Sequence, residues 1–181
     1  VGTFWDKDRR CLYDCVRDDG VDGSIRPNQI FAVSLPDSPL SPLQQQLVVE
    51  GVTRHLLTPV GLRSLSPEDP AYRGRCVGNP WERDSAYHQG TVWAWLMGPY
   101  IEAYLRANQF SSQARDTSRE LLRPLFDHLA EAGLGQVSEI FDGDAPHTPR
   151  GRIAQAWSVA ELIRAYHLLH PRVPVVATAG A

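Results

Sequence analysis

A chain of 181 residues with a net charge of −3 fits one domain, and its 43% hydrophobic residues suffice for a buried core. The slight acidic excess argues against nucleic acid or an anionic membrane as the main partner, and no apolar run is long enough for a membrane helix. The three cysteines, Cys11, Cys15 and Cys76, form no CxxC pair and have no histidine at ligand spacing, so reduced thiols in a cytoplasmic protein are expected, not a zinc site.

The start, Val1-Gly2-Thr3-Phe4-Trp5-Asp6, has neither Met nor a secretory pattern and reads as the continuation of a longer chain. Asp18-Asp19-Gly20-Val21-Asp22-Gly23 is a weak echo of a calcium loop; it lacks the third acidic ligand and the closing Glu, so no metal is expected. Pro27 suits a first helical turn and predicts a helix over 27–35. A second helix is expected over 43–57, where Leu47, Val48, Val52 and Leu56 recur at helical spacing before Pro59-Val60-Gly61. The third, over 90–107, is apolar nearly all round and reads as buried. The fourth, over 112–132, is amphipathic and ends at Gly133; the fifth covers 154–169. No strand pattern stands out, so the fold class is all-α, and the small apolar tail over 171–181 is expected to fray.

A weak repeat organises these helices. Gln29, Gln89 and Gln155 each lie at or near a helix start, at spacings of 60 and 66 residues (89 − 29 and 155 − 89). Repeated helix hairpins of that period suggest a toroid in which apolar inner helices follow long loops, all opening at one end. That end would gather Arg26, Asn28, Gln29, Trp81, Arg83, Asp84, His88, Gln89, Trp93, Glu139, Asp142, Gln155 and Trp157. Five helices cannot close a ring, so the domain is expected to be completed upstream or by a partner.

Glu139 is the sharpest chemical candidate. It stands among Val137, Ile140 and Phe141, ahead of a Gly/Pro-rich loop and a helix that opens with Gln155 and Trp157. A carboxylate beside aromatic and amide groups is what glycosidic bond cleavage needs, although a solvated loop carboxylate would look the same in sequence. The chain has five tryptophans, and all but one lie in or beside loops that precede helices, or in opening turns, which suits stacking on ring-shaped ligands. Trp93 and Trp95, two apart on the expected third helix, would not share a face. Arg26 and Asn28 offer planar donors for hydroxyls, or Arg26 ties its loop to a carboxylate. His88 binds a hydroxyl or is satisfied within the core. Asp84, flanked by Trp81 and Tyr87, is the in-chain alternative for an acid, or pairs with Arg83. No GxGxxG or Walker pattern appears.

Five segments in series carry a resemblance. They are Ser24-Ile25-Arg26-Pro27-Asn28-Gln29, Leu56-Leu57-Thr58-Pro59-Val60-Gly61-Leu62-Arg63-Ser64-Leu65, Tyr87-His88-Gln89-Gly90-Thr91-Val92-Trp93-Ala94-Trp95, Ser138-Glu139-Ile140-Phe141-Asp142-Gly143 and Gln155-Ala156-Trp157-Ser158. Over roughly residues 3–169 the chain resembles the C-terminal part of glycogen debranching enzymes. The resemblance implies part of an (α/α)6 toroid and an amylo-α-1,6-glucosidase that removes single glucose stubs from glycogen or limit dextrin with inversion. It implies that Glu139 is the general base, and that the general acid is an Asp in an earlier part of the domain with no counterpart here. It requires no cofactor. Its partners are a branched α-glucan and the upstream part of the same enzyme. Another glucosidase of the same fold (α-1,4 or trehalose-type) and a glucan-binding fragment without hydrolysis are the alternatives.

Overall fold

The computed structural model describes residues 2–170; the expected tail over 171–181 lies outside them. Two short antiparallel hairpins open the chain, β1 (Trp5–Asp6) with β2 (Cys11–Leu12) and β3 (Cys15–Arg17) with β4 (Gly20–Asp22). The expected helix over 27–35 is a 3-10 turn, Pro27–Ile30, running into one turn of helix, α1 (Phe31–Ser34). α2 (Pro42–Leu56) follows, then β5 (Leu57–Thr58), β6 (Gly61–Arg63), α3 (Pro80–Tyr87) and β7 (Val92–Trp93). A 3-10 turn, Ala94–Leu96, leads into α4 (Met97–Ala107) and α5 (Ser112–Glu131), and β8 (Ile140–Phe141), β9 (Pro149–Arg150) and α6 (Ala156–Leu169) complete the order.

Helices 43–57, 112–132 and 154–169 form nearly where periodicity puts them, as α2, α5 and α6. Local chemistry fixes their starts. In α2, Ser41 and Gln44 form a reciprocal capping box ahead of Pro42 at the first helical position. α4 is the central helix, with Met97, Tyr100, Ile101, Ala103 and Leu105 buried, and it packs against α1, α2, α5 and α6. Its approach to α6 is close, since a Cβ at Gly98 would meet the Glu161 side chain at 1.9 Å. Arg164 of α6 reaches back to both Glu161 and Glu102, joining the two helices at the edge of the core.

Two expectations need correction. The third helix does not begin at residue 90. Gly90 has φ +143°, residues 92–93 are extended, and α-helix starts only at Met97. Nor are the described residues all-α, because β5, β6, β7, β8 and β9 form one five-stranded antiparallel sheet in sequence order. Its strands have two or three residues each, too few for a period-2 pattern to show in the sequence. Trp93 is its midpoint, facing Leu62 on one side and Ile140 on the other. The hairpin β5–β6 lies so close to β7 that a Cβ at Gly61 (φ +147°) would fall 2.4 Å from the Trp93 carbonyl oxygen.

Candidate active site

Three of the resembling segments are neighbouring strands of that sheet, and the sheet sets Glu139 in place. Glu139 precedes β8, opposite the residues that follow β9. Its backbone N–H donates to the Arg152 carbonyl at 2.9 Å, continuing the β8–β9 ladder by one more bond. The Arg152 N–H in turn donates to Glu139 Oε2 at 2.9 Å. Tyr87, the last residue of α3, donates its hydroxyl to Glu139 Oε1 at 2.5 Å, and Gln155 Nε2 lies 3.5 Å from the same oxygen. Both carboxylate oxygens therefore act as acceptors, the hydrogen-bonding role of an ionised carboxyl. Burial, and then the bond to Glu139, pushes the Tyr87 hydroxyl well above the usual tyrosine range, so it stays a donor at neutral pH.

Gly151 makes this approach possible. It has φ +66°, and a Cβ there would lie 2.4 Å from Glu139 Oε2. Below the strand, His128 of α5 is buried, with Nε2 accepting from the Ser138 N–H at 3.3 Å and its ring edge-on to Phe141 at 4.9 Å. Burial lowers its pKa, which keeps the acceptor nitrogen free of a proton.

Glu139 opens onto a cleft of about 710 Å³ that Arg83, Asp84, Tyr87, Gly151 and Arg152 also line. Asp84 is exposed there and makes no hydrogen bond or ion pair among the described residues. A second cleft of about 320 Å³ is walled by Arg26, Asn28, His88, Trp93, Trp95 and Trp157. His88 lies parallel to Trp93, with centroids 5.3 Å apart and planes at 3°. Trp157 meets Trp93 edge-on at 5.9 Å and lies over Trp95 at 5.3 Å. Trp93 and Trp95 thus both reach Trp157, contrary to the helical expectation, because Trp93 is extended rather than helical. Tyr87 adjoins both clefts; its hydroxyl serves Glu139 while its ring packs edge-on against Trp93 and His88.

The remaining sequence candidates occupy varied positions. Arg26 donates to the Ser64 carbonyl at 3.0 Å, the His88 carbonyl at 2.7 Å and Gln89 Oε1 at 2.8 Å, and pairs with Asp14 at 3.8 Å. Asn28 donates to the same Asp14, and Gln29 is buried between Leu12 and Arg26. Asp142 is buried too, paired with Arg150 at 2.9 Å and accepting from the Cys76 N–H at 2.9 Å. Arg83 donates to the Gly78 carbonyl at 2.7 Å from the wall of the Glu139 cleft. Trp81 is 78% exposed in the first turn of α3. Sequence reasoning did not single out Tyr87 as a Glu139 partner, nor Gly151 and Arg152. The one available signal was Tyr87 opening the same segment as His88 and Trp93.

A roomier cleft, about 880 Å³ around the β3–β4 hairpin, contains none of these residues and is lined mainly by charged and small side chains. The Glu139 cleft is the better candidate because it holds an oriented carboxylate and adjoins, through the Tyr87 ring, the Trp93 and His88 rings of the neighbouring cleft. Among the described residues no group of three His, Cys, Asp or Glu could hold a metal ion.

Residues 2–164 match the family described as Amylo-alpha-1,6-glucosidase. Among curated proteins, the glycogen debranching enzyme of Saccharomyces cerevisiae is 25% identical over 165 residues, and the match spans 81% of this chain but 11% of that protein. The family match runs from the first hairpin into α6 and takes in Tyr87, Glu139, Gly151 and Trp157, and on that extent the chain belongs to the amylo-alpha-1,6-glucosidase family.

Proposed function

We propose that this chain provides the water-activating side of an inverting glucosidase site that removes α-1,6-linked glucose at the branch points of glycogen or limit dextrin. The observation that carries the reading is Glu139, fixed by Tyr87, Arg152 and Gln155 at the mouth of a cleft beside an aromatic wall. Glu139 takes a proton from water as the water oxygen attacks the anomeric carbon, and a second carboxyl protonates the departing oxygen. In an inverting site the two carboxyls stand roughly 6.5–9.5 Å apart, which leaves room for that water. Trp157 and His88 offer faces for the sugar ring, with Trp93 buried against His88 and Asn28 at the same wall. No metal or organic cofactor is needed for chemistry of this kind.

The acid is assigned to an earlier segment of the same domain, with these helix hairpins forming part of an (α/α)6 toroid in a cytoplasmic debranching enzyme. The three thiols are unpaired, and no helix among the described residues is long and apolar enough to cross a membrane. A second reading rests on Asp84, which shares the Glu139 cleft and would make the chain catalytically complete. A glucosidase of different linkage on the same fold, or a glucan-binding unit without hydrolysis, would differ in product rather than in this scaffold.

The test is glucose release from a limit dextrin with single α-1,6 glucose stubs, by the protein that carries this chain. Glu139→Gln is expected to lower turnover by about 10³-fold while sugar binding persists. Unchanged turnover would remove Glu139 from the mechanism. Release of glucose by the 181-residue chain alone would make Asp84 the acid, and glucan binding without release would favour the binding unit.

A further inference from the structure

The geometry points to Tyr87 as the positioning residue for Glu139, its hydroxyl holding Oε1 so that Oε2 is the oxygen that takes the proton from water. This rests on the reading of Glu139 as the base. Glu139 Oε1 accepts the Tyr87 hydroxyl at 2.5 Å and has Gln155 Nε2 at a longer 3.5 Å, so it is the more engaged of the two oxygens. Among the described residues Oε2 accepts only from the Arg152 N–H and keeps a lone pair. Oε2 can take this position on the cleft wall because residue 151 has no Cβ to crowd it.

Tyr87 is itself well anchored. Its carbonyl accepts from Thr91 Oγ1 at 2.6 Å and from Trp93 Nε1 at 3.2 Å, and its ring lies edge-on to Trp93 at 4.8 Å and to His88 at 4.9 Å. Those ring contacts would be made equally well by phenylalanine. The hydroxyl has one partner among the described residues, and that partner is Glu139. The hydroxyl is therefore explained by the carboxylate, not by packing. The same ring ties the carboxylate to the aromatic cleft, so a sugar that moves Trp93 or His88 also moves the group that aims Glu139.

The experiment compares Tyr87→Phe, Glu139→Gln and the double variant with the parent, in the protein that carries this chain. Two substrates are used: limit dextrin, and α-glucosyl fluoride, whose leaving group needs little protonation. Tyr87→Phe is expected to lower kcat about 10- to 100-fold on both, because misaimed reacting groups lose rate steeply, with KM changed less than about threefold. The thermal unfolding midpoint stays at the parent value. In the double variant the rate remains where Glu139→Gln alone puts it, as expected for residues acting as one unit. With Glu139→Gln inactive, a Tyr87→Phe rate within twofold of the parent overturns the assignment. So does a loss of kcat matched by a rise in KM and a lowered unfolding midpoint, the signature of a packing role alone. An active Glu139→Gln protein overturns the base reading and this inference together.

Discussion

At residue 151 the backbone takes φ +66°, and any Cβ would press on Glu139 Oε2 from 2.4 Å. Gly151→Ala is therefore expected to cost about 10²-fold in kcat through displacement of the carboxylate, with circular dichroism unchanged; a parental rate would show that the carboxylate tolerates the shift. Asp142 makes the opposite prediction. Its carboxylate is engaged by Arg150 and the Cys76 N–H inside the fold. Asp142→Ala should lower the unfolding free energy in urea by about 3 kcal/mol, since it strands a buried donor and a partly exposed arginine, while KM in the surviving folded protein stays near the parent value. Glu139 stood out in sequence as an acidic residue among Val137, Ile140 and Phe141, ahead of a loop and a helix that opens with Gln155 and Trp157. Its partner Tyr87 did not, because a bond across 52 residues leaves no local trace. Arg26 shows a subtler limit. The sequence offered hydroxyl donor or loop tie, and only the positions of Ser64, His88, Gln89 and Asp14 reveal a tie.

Elements were legible in proportion to their length. α2, α5 and α6 have 15, 20 and 14 residues, enough turns for an apolar stripe to repeat. α3 has eight residues, of which only Ala86 is buried, so periodicity missed it. Its signature was instead chemical, Asn79-Pro80 with Glu82 three residues after the cap, a reciprocal capping box. Asn79→Ala should cost about 1 kcal/mol of stability in denaturant unfolding, and because α3 ends on Tyr87 it should also lower kcat. A stability loss with kcat intact would show that Tyr87 is held by the Trp93 and Thr91 bonds alone. The stretch over 90–97 failed for another reason. An unbroken apolar run fits a buried helix and a buried strand equally, and the path was decided by Gly90 and by pairing with β6 and β8, partners far away in sequence.

Across the molecule, His128 couples stability to pH. It is 2% exposed, and burial lowers its pKa below the ordinary 6.5, whereas the unfolded chain binds a proton near that value. Stability from this site is therefore complete above about pH 6.5 and declines as the pH falls, by up to about 1.4 kcal/mol per unit, until the folded histidine also takes its proton. Urea unfolding at pH 7.5 and 5.5 should show a smaller difference in His128→Gln than in the parent; equal differences would mean that the folded and unfolded chains bind the His128 proton equally. The five-stranded sheet has a further consequence, for the newly made chain. Its strands span residues 57 to 150 in sequence order, and each is too short to stand by itself. As the polypeptide emerges from the ribosome, β5, β6 and β7 can pair first, leaving one edge of Trp93 waiting. Glu139 arrives 46 residues later (139 − 93), just ahead of the Ile140 that pairs with that waiting edge, and Gly151, Arg152 and Trp157 follow last. In a nascent protein of this design Tyr87 and the edge of β7 are made before the Glu139 carboxylate, and Arg152 and Gln155 reach it afterwards.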